Sequence, residues 1–333
     1  MYSMYKIYIL FFLFFINLTQ QVNSQIKVKE KNNKLVIAHR GASGYLPEHT
    51  IESKVMAYAM NVDFIEQDLV LSKDDVPIVI HDIYLDDVTN ITSKFPNRSR
   101  EDGRFYVIDF SYEELIQLTV YERFNPKTKE QIFPDRFPLS EKSNFKLHSL
   151  QDEIELIQGL NKSTGNNIGI YPEIKNPEFH RKNGKDISLI VLKILNNYGY
   201  KTKTDNCILQ CFDVDELKRI RNDLKSKLFL TQLIGTPGQE ELLNKYATYA
   251  DAVGPRINLL IAGYDQEEKI IISNLVKNAH DLGLKVHAFT FRADHLGEFT
   301  TFNNLLEFGF YKANVDGIFT DFPDKAIEFL KEN

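Results

Sequence analysis

The sequence predicts an α/β fold, a (β/α)8 barrel of the TIM type with an excursion inserted after its early strands. Three observations indicate it. From Leu35 onward, short β-branched or aromatic runs alternate with longer helical patterns, as in βα units around a parallel sheet. The runs number close to eight once one extra hairpin strand is allowed. About 309 residues follow the amino-terminal segment, a length that such a barrel occupies as one domain.

The elements follow from the local patterns, taken in chain order. Thr50 is expected to cap a helix that runs to residue 60, and Asp213 to cap a helix over 214–224. Strands are expected at 35–38, 64–70, 76–80, 168–171, 207–211, 228–233, 252–255, 285–291 and 317–320.

The stretch from about 83 to 165 breaks the alternation. It is polar, rich in Asn, Lys and Ser, and it contains prolines at 96, 126, 134 and 138. Helices are expected within it at 112–118 and 150–160. Insertions of this length are usually functional or flexible. Because barrel active sites form at the carboxyl ends of the strands, an insertion that leaves after His81 begins at the mouth and could cap a pocket there.

Polar side chains collect where the early strands end. His39 and Arg40 follow the first strand, and His81 follows the third. Glu66 and Asp68 lie two positions apart on the second strand, so their side chains share a face. Two carboxylates on one face repel each other unless a cation lies between them.

A second polar pair, Glu173 and Lys175, follows the strand at 168–171. With Glu66 and Asp68, Glu173 makes three carboxylates that supply only oxygen, a set that suits Ca2+ or Mg2+. Zn2+ would more often recruit His or Cys. The planar guanidinium of Arg40 suits the non-bridging oxygens of a phosphate. The pattern therefore indicates a metal-assisted site for a phosphate ester, with Ca2+ or Mg2+ as the metal.

Several ordered motifs resemble the glycerophosphodiester phosphodiesterases, specifically the periplasmic bacterial type. They are HRGASGYLPEHT, the ExD of FIEQDL, IVIHD, GIYPEIK, LQCFDVDELKRI, HAFTFR and GIFTDFPDKAIEFL, and they span nearly the whole mature chain. The resemblance implies a periplasmic or secreted enzyme that hydrolyses small glycerophosphodiesters to sn-glycerol 3-phosphate and an alcohol.

The resemblance also implies roles for individual residues. It makes His39 and His81 the general acid and base, which suits imidazoles that titrate near neutral pH. It gives the metal to Glu66, Asp68 and Glu173, and the phosphate to Arg40 and Lys175. Which histidine is the acid stays open, as does the choice between a cyclic intermediate and direct attack by water.

The outer residues of the pocket are less specified by the sequence. Glu48 either assists the metal or prepares the start of the following helix. Phe212 and Phe289 could form an apolar wall for the alcohol, although aromatic residues on barrel strands are core by default. The resemblance makes His287 a pocket residue. The other histidines are expected at the surface, namely His49, His148, His180, His280 and His295.

Residues 1–24 have the pattern of a secretory signal peptide. Lys6 precedes about ten apolar residues, too few to span a bilayer, and Val22-Asn23-Ser24 offers a cleavage site. The alternative is an uncleaved membrane anchor.

Loss of Lys6 with this segment shifts the formal net charge from -6 to -7. This acidic balance argues against a nucleic-acid partner and against stable membrane association. The oligomeric state is not specified.

Two rival functions remain. A lysophospholipase D or a phosphoinositide-type phospholipase could use the same scaffold, but the sequence shows no apolar rim or interfacial helix outside the signal segment. A secreted binding protein that has lost catalysis should lack one of the two histidines or three carboxylates, and all five are present.

Overall fold

The computed structural model describes residues 34–139, 142 and 144–333. The predicted signal peptide at 1–24 lies outside the described residues. The strands are β1 Leu35–Ala38, β2 Phe64–Leu71, β3 Pro77–Val79, β4 Gly169–Ile174, β5 Ile208–Cys211, β6 Phe229–Ile234, β7 Ala252–Pro255, β8 Ile261–Tyr264, β9 Ile270–Ile272, β10 Lys285–Phe291 and β11 Gly317–Thr320.

Eight of these strands run parallel and close into a barrel in the order β1, β2, β4, β5, β6, β7, β10, β11. The barrel closes because β1 pairs with β2 on one side and with β11 on the other. The predicted (β/α)8 fold is therefore confirmed. β8 and β9 form a separate antiparallel pair outside the barrel.

β3 is the extra hairpin strand. It runs antiparallel to the end of β2, with Leu71 opposite Pro77 and Leu69 opposite Val79. The next amide, that of Ile80, donates a hydrogen bond of 2.9 Å to the carbonyl of Asp68. The β2–β3 hairpin therefore brings Ile80 next to Asp68 near the end of β2. His81, the residue after Ile80, lies at the same end of the barrel.

The helices assigned in the described residues surround the barrel or lie in the insertion. Thr50 accepts a hydrogen bond from the Ser53 amide and Asp213 accepts one from Glu216, which confirms both predicted caps. No helix in this part of the chain is long and apolar enough to cross a membrane. The bounds are α1 Ile51–Ala59, α2 Ile91–Lys94, α3 Tyr112–Leu115, α4 Leu150–Thr164, α5 Pro177–Lys182, α6 Ile187–Asn197, α7 Val214–Asn222, α8 Leu243–Tyr246, α9 Leu275–Asp281, α10 Phe302–Glu307 and α11 Pro323–Glu332.

The structure moves one predicted boundary. Leu150, Ile154 and Ile157 of α4 belong to the main core that joins helices to the barrel. Their spacing places them on one face of the helix, so α4 packs on the barrel, whereas the sequence assigned it to an insertion that ends at about 165. From here on, "the insertion" means residues 83–149.

The insertion has an apolar core of its own. Leu85, Phe110 and Leu118 are fully buried there and pack in one cluster with Val70 of β2 and Ile78 of β3. The cluster attaches the insertion to the hairpin that carries His81. The sequence left open whether this segment is flexible or functional. The packing argues against flexibility, because the buried cluster fixes the insertion beside the barrel mouth.

Candidate active site

A cavity of about 660 Å³ opens where the barrel strands end. Polar groups from several strands converge on it, as expected for a barrel whose active site lies at the carboxyl ends of the strands. The lining contains every residue predicted as catalytic, metal-binding or phosphate-binding: His39, Arg40, Glu66, Asp68, His81, Glu173 and Lys175.

The three predicted metal ligands lie side by side. Asp68 of β2 and Glu173 of β4 are direct register partners, and Glu66 lies two residues before Asp68 on the same face. One carboxylate oxygen from each of the three comes within 4.8 Å of the others. All three side chains are buried. This cluster, Glu66, Asp68 and Glu173, is called the acidic trio below.

The electrostatics of the acidic trio favour a bound cation. Burial, together with the charges of Asp68 and Glu66, raises the pKa of Glu173 to about 8, although Lys175 opposes this shift. Burial likewise raises the pKa of Glu66. These carboxyls therefore resist ionisation until positive charge is added. Asp68 Oδ1 has no hydrogen-bond partner among the described residues, so a buried oxygen is free to act as a ligand. Such an all-oxygen set fits Ca2+ or Mg2+.

Each of the two predicted catalytic histidines is held by an aspartate through Nδ1. His39 Nδ1 lies 2.5 Å from Asp321 Oδ1, and His81 Nδ1 lies 2.9 Å from Asp82 Oδ1. Because a carboxylate can only accept, Nδ1 carries the proton in both pairs and Nε2 is left for the cavity. His39 Nε2 is 3.8 Å from Glu66 Oε2, so this ring faces the acidic trio.

His81 is held in its neutral form. Burial lowers its pKa most, and the positive charges of Arg40 and Lys175 lower it further, to about 4. At neutral pH the free Nε2 of this imidazole can therefore accept a proton.

The predicted phosphate-binding cations lie against the acidic trio. Lys175 Nζ is 2.8 Å from Glu173 and 3.7 Å from Asp68, and Arg40 Nε is 3.7 Å from Asp68. Arg40 Nη1 donates a hydrogen bond of 2.8 Å to Glu48. Glu48, predicted as a possible pocket residue, also lines the cavity, and Thr50 rather than Glu48 caps the following helix. Instead Glu48 orients Arg40.

A turn at Arg40 and Gly41 brings the backbone after β1 into contact with the acidic trio. Arg40 and Gly41 both have positive φ, 57° and 89°, which lets the Arg40 amide donate a hydrogen bond of 2.9 Å to Glu66. A Cβ on Gly41 would lie 2.9 Å from the carbonyl carbon of Ser53. Only glycine accommodates both the conformation and the close approach of the backbone.

Comparison with known proteins agrees with this geometry. Residues 39–325 match the glycerophosphoryl diester phosphodiesterase family. The chain belongs to this family. It is 45% identical over 331 residues to a glycerophosphodiester phosphodiesterase of Haemophilus influenzae, covering 90% of this chain and 91% of that one. It is 37% identical over 329 residues to one of Treponema pallidum, covering 90% and 92%. The chain is therefore an enzyme of the phosphodiesterase class.

Solved structures of the family share the fold. A putative glycerophosphoryl diester phosphodiesterase from Silicibacter pomeroyi superposes with a TM-score of 0.69 at 22% identity, covering 90% of this chain and 93% of that one. A phosphodiesterase from Oleispira antarctica, solved with the product sn-glycerol-3-phosphate, gives a TM-score of 0.61 at 20% identity, covering 89% and 96%. At these identities the likeness supports the barrel itself.

Within this phosphodiesterase, some sequence-based placements need correction. His287 does not line the cavity: it shares a face of β10 with Phe289 but lies two residues earlier, deeper in the barrel interior, where it is buried and its Nδ1 is 2.8 Å from the hydroxyl of Tyr171. Phe212 and Phe289 do line the cavity, with ring centroids 5.8 Å apart. Three histidines expected at the surface are buried instead, namely His49, His148 and His180.

Two of the residues that hold the site escaped the sequence analysis. His49 Nε2 lies 2.7 Å from Asp68 Oδ2, and with Lys175 it keeps the pKa of Asp68 well below its usual range despite burial. Asp321 directly follows β11, as His39 follows β1, and the two strands are neighbours. The rule that polar residues after barrel strands meet at the mouth would have found Asp321 had it been applied to the last strand.

Proposed function

We propose that this phosphodiesterase hydrolyses glycerophosphodiesters to sn-glycerol 3-phosphate and an alcohol with one bound divalent cation, Ca2+ in preference to Mg2+. The observation that carries the proposal is the acidic trio in a cavity that two histidines also line, each bound to an aspartate through Nδ1. The names of the relatives from H. influenzae and T. pallidum, and the product in the O. antarctica structure, support this substrate class.

The acidic trio would hold the cation, and the residues around it would bind the phosphate and transfer the protons. When bound, the cation supplies positive charge that polarises the phosphate. Arg40 and Lys175 orient the non-bridging oxygens and offset the charge that develops on them. The low pKa of His81 favours it as the base that takes a proton from the attacking hydroxyl, whether of glycerol or of water. In this scheme His39 enters the step protonated on both ring nitrogens, and it gives its Nε2 proton to the oxygen of the departing alcohol.

The pocket beyond the phosphate suits a small alcohol. Phe212 directly follows β5 and Phe289 lies on β10, and the two rings form an apolar wall of the cavity, with the Phe212 ring centroid 6.0 Å from Lys175 Nζ. We therefore propose deacylated glycerophosphodiesters as substrates, with neither nucleic acid nor a membrane surface as a partner.

We further propose that the enzyme is of the periplasmic bacterial type and is secreted by cleavage after Ser24. The pattern of Lys6, an apolar run and a small-residue site supports this. Amino-terminal sequencing of the protein recovered from its native compartment should begin at Gln25. A retained amino terminus would contradict the proposal.

Product analysis on a panel of diesters tests the function. The purified enzyme, with excess Ca2+, should release sn-glycerol 3-phosphate from glycerophosphocholine, glycerophosphoethanolamine and glycerophosphoglycerol. His39→Ala and His81→Ala should each lower kcat by about a hundredfold or more, the usual contribution of general acid–base catalysis. His280→Ala is the control, since His280 pairs with Asp316 away from the cavity.

Two outcomes would contradict the proposal. One is near-wild-type turnover in either active-site histidine variant whose thermal melting is unchanged. The other is turnover of lysophosphatidylcholine in preference to all the water-soluble diesters, which would indicate a lipid-directed phospholipase.

A further inference from the structure

Two arginines of the insertion contact the aspartates that hold the two active-site histidines. The first is Arg136. Its Nη2 donates a hydrogen bond of 2.5 Å to Asp321 Oδ2, while the other oxygen of Asp321 accepts from His39. Arg136 also donates to Asp294 at 2.8 Å and to the carbonyl of Ser43 at 3.2 Å. One guanidinium thus joins the insertion to the segments that follow β1, β10 and β11.

The second is Arg123, which repeats the arrangement on the other side of the site. Its Nη1 donates a hydrogen bond of 2.7 Å to Asp82 Oδ2, and the other oxygen of Asp82 accepts from His81. Its Nη2 donates to Glu48 at 2.6 Å, and Glu48 in turn accepts from Arg40. Arg123 therefore lies behind both a histidine and a phosphate-binding arginine.

In both arrangements the aspartate is shared between two donors. Each aspartate has one oxygen bound to an arginine and the other to a histidine, so the arginine fixes the plane of the carboxylate and, through it, the orientation of the imidazole. The Arg136 and Asp321 side chains are each only 4% exposed, so water does not compete for this contact. Although burial raises the pKa of Asp321, His39 and Arg136 hold it well below its usual range, and it stays an acceptor for both.

The division of residues between barrel and insertion follows a pattern. The histidines and Asp321 come from the ends of strands, and Asp82 directly follows His81. Both arginines come from the insertion, whose apolar cluster fixes it beside β2 and β3. Without the insertion, Asp82 would retain only His81 among the described residues, whereas Asp321 would retain His39 and a longer ion-pair contact of 3.6 Å with Arg292.

We propose that Arg123 and Arg136 are positioning residues that orient His81 and His39 through Asp82 and Asp321, so that the insertion completes the active site. The inference rests on the proposed function, because it concerns the geometry of the two proposed proton-transfer groups. The insertion then positions both histidines, in addition to lining the cavity through Phe133 and Arg136.

Steady-state kinetics of arginine variants test the proposal. Arg136→Gln should lower kcat on glycerophosphocholine by about tenfold or more, since small displacements of a catalytic group are costly, while KM changes by less than about twofold. Arg123→Gln should lower kcat similarly and also raise KM, because Arg123 supports Arg40. Arg123→Lys and Arg136→Lys should recover part of the loss, since a lysine supplies charge without the planar fork.

Two matched variants test whether Arg136 orients His39 through Asp321 or only anchors the insertion to the barrel. Asp294→Asn removes one anchor of Arg136 but leaves its contact with Asp321, so kcat should stay near wild type. Arg100→Ala removes an arginine that pairs with Asp109 inside the insertion and should also leave kcat unchanged. If Asp294→Asn loses as much kcat as Arg136→Gln, Arg136 serves only as an anchor and the proposal is overturned.

A substrate with a different leaving group separates positioning from a merely structural role. If the arginines were only structural, the loss of kcat in their variants would be the same for both leaving groups. The 4-nitrophenyl ester of glycerol 3-phosphate has a leaving group that departs without a proton. With His39 as the acid, the deficit of Arg136→Gln should shrink on this ester, whereas that of Arg123→Gln should persist. If instead the loss of kcat shrinks for Arg123→Gln and persists for Arg136→Gln, His81 is the acid and His39 the base, and the positioning proposal is still supported. Equal deficits on both esters for both variants would overturn it.

The failure of this inference can be told from failure of the proposed function. His39→Ala and His81→Ala are measured beside the arginine variants, with thermal melting as the check on folding. Loss of activity in the histidine variants with full activity in Arg123→Gln and Arg136→Gln would overturn positioning alone. Full activity in the histidine variants would overturn the proposed mechanism. If a glutamine variant fails to fold, the lysine variants carry the same comparison.

Discussion

At the scale of single residues, Gly41 sets the geometry of the site through its backbone. Gly41→Ala should destabilise the fold by more than about 1 kcal/mol, since positive φ disfavours a side chain and the new Cβ would meet the Ser53 backbone. It should also lower kcat, because the Arg40 amide would shift from Glu66. Denaturant unfolding and steady-state kinetics measure the two effects.

Gly103 is the matched control for this substitution. It lies in the insertion with a φ of 78°, but a Cβ there would meet no atom within 4 Å. Gly103→Ala should therefore carry the conformational cost alone and leave kcat unchanged. Equal destabilisation by the two variants, with kcat retained in Gly41→Ala, would show that the close approach to Ser53 is unimportant.

The residues that perform the proposed chemistry were readable from the sequence, whereas those that hold them were not. His39, Glu66 and Asp68 follow from strand alternation and from their place at strand ends. Arg123 and Arg136 lie in an irregular polar segment, and their contacts join positions far apart in the chain, such as Arg136 and Asp321. Such contacts depend on how the insertion folds back, which has no periodic signal in the sequence.

At the scale of elements, a buried ion pair joins α1 to α4 beneath the site. Lys54 Nζ lies 3.0 Å from Glu153 Oε1, and both side chains are fully buried. His148 and Gln67 also donate to Glu153. Burial raises the pKa of Glu153, but Lys54 and His148 outweigh it and lower the pKa to about 2.

This pair predicts a specific loss of stability in acid. Because the folded pKa of Glu153 lies below its unfolded value, its contribution is fully present above about pH 4.5 and is lost as the pH falls through about 2. Glu153→Gln should cost about 3 kcal/mol at neutral pH, since it leaves Lys54 buried without its charge partner. The difference from wild type should shrink as the pH falls through this window.

Urea unfolding at a series of pH values measures this difference. Glu178→Gln is the control, since Glu178 forms an exposed pair with Lys182 and should show little change at any pH. A constant difference between wild type and Glu153→Gln from pH 7 to pH 3 would contradict the assignment.

Among elements, those with a clear period were predicted and the irregular ones were not. The strand bounds at 35–38, 252–255, 285–291 and 317–320 match the structure, as do the caps Thr50 and Asp213. α4 was assigned to the insertion because it follows a long polar stretch. The helical spacing of its apolar residues shows that it packs on the barrel.

At the scale of the whole molecule, closure of the barrel assembles the site from distant parts of the chain. The acidic trio combines residues of β2 and β4, which are paired in the barrel although the hairpin, the insertion and α4 lie between them in sequence. The barrel thus supplies the acidic trio and His39, the hairpin after β2 supplies His81, and the insertion adds the arginines behind the two histidines.

The most direct test of this account is calorimetric titration of the metal-free enzyme with Ca2+. One Ca2+ should bind per chain, with affinity at least about tenfold weaker in Glu66→Gln, Asp68→Asn and Glu173→Gln, since each variant removes one charged ligand. Glu155→Gln, an exposed carboxylate on α4, should bind as wild type does. Absence of binding to the wild-type enzyme, with either Ca2+ or Mg2+, or unchanged affinity in all three ligand variants, would contradict the account.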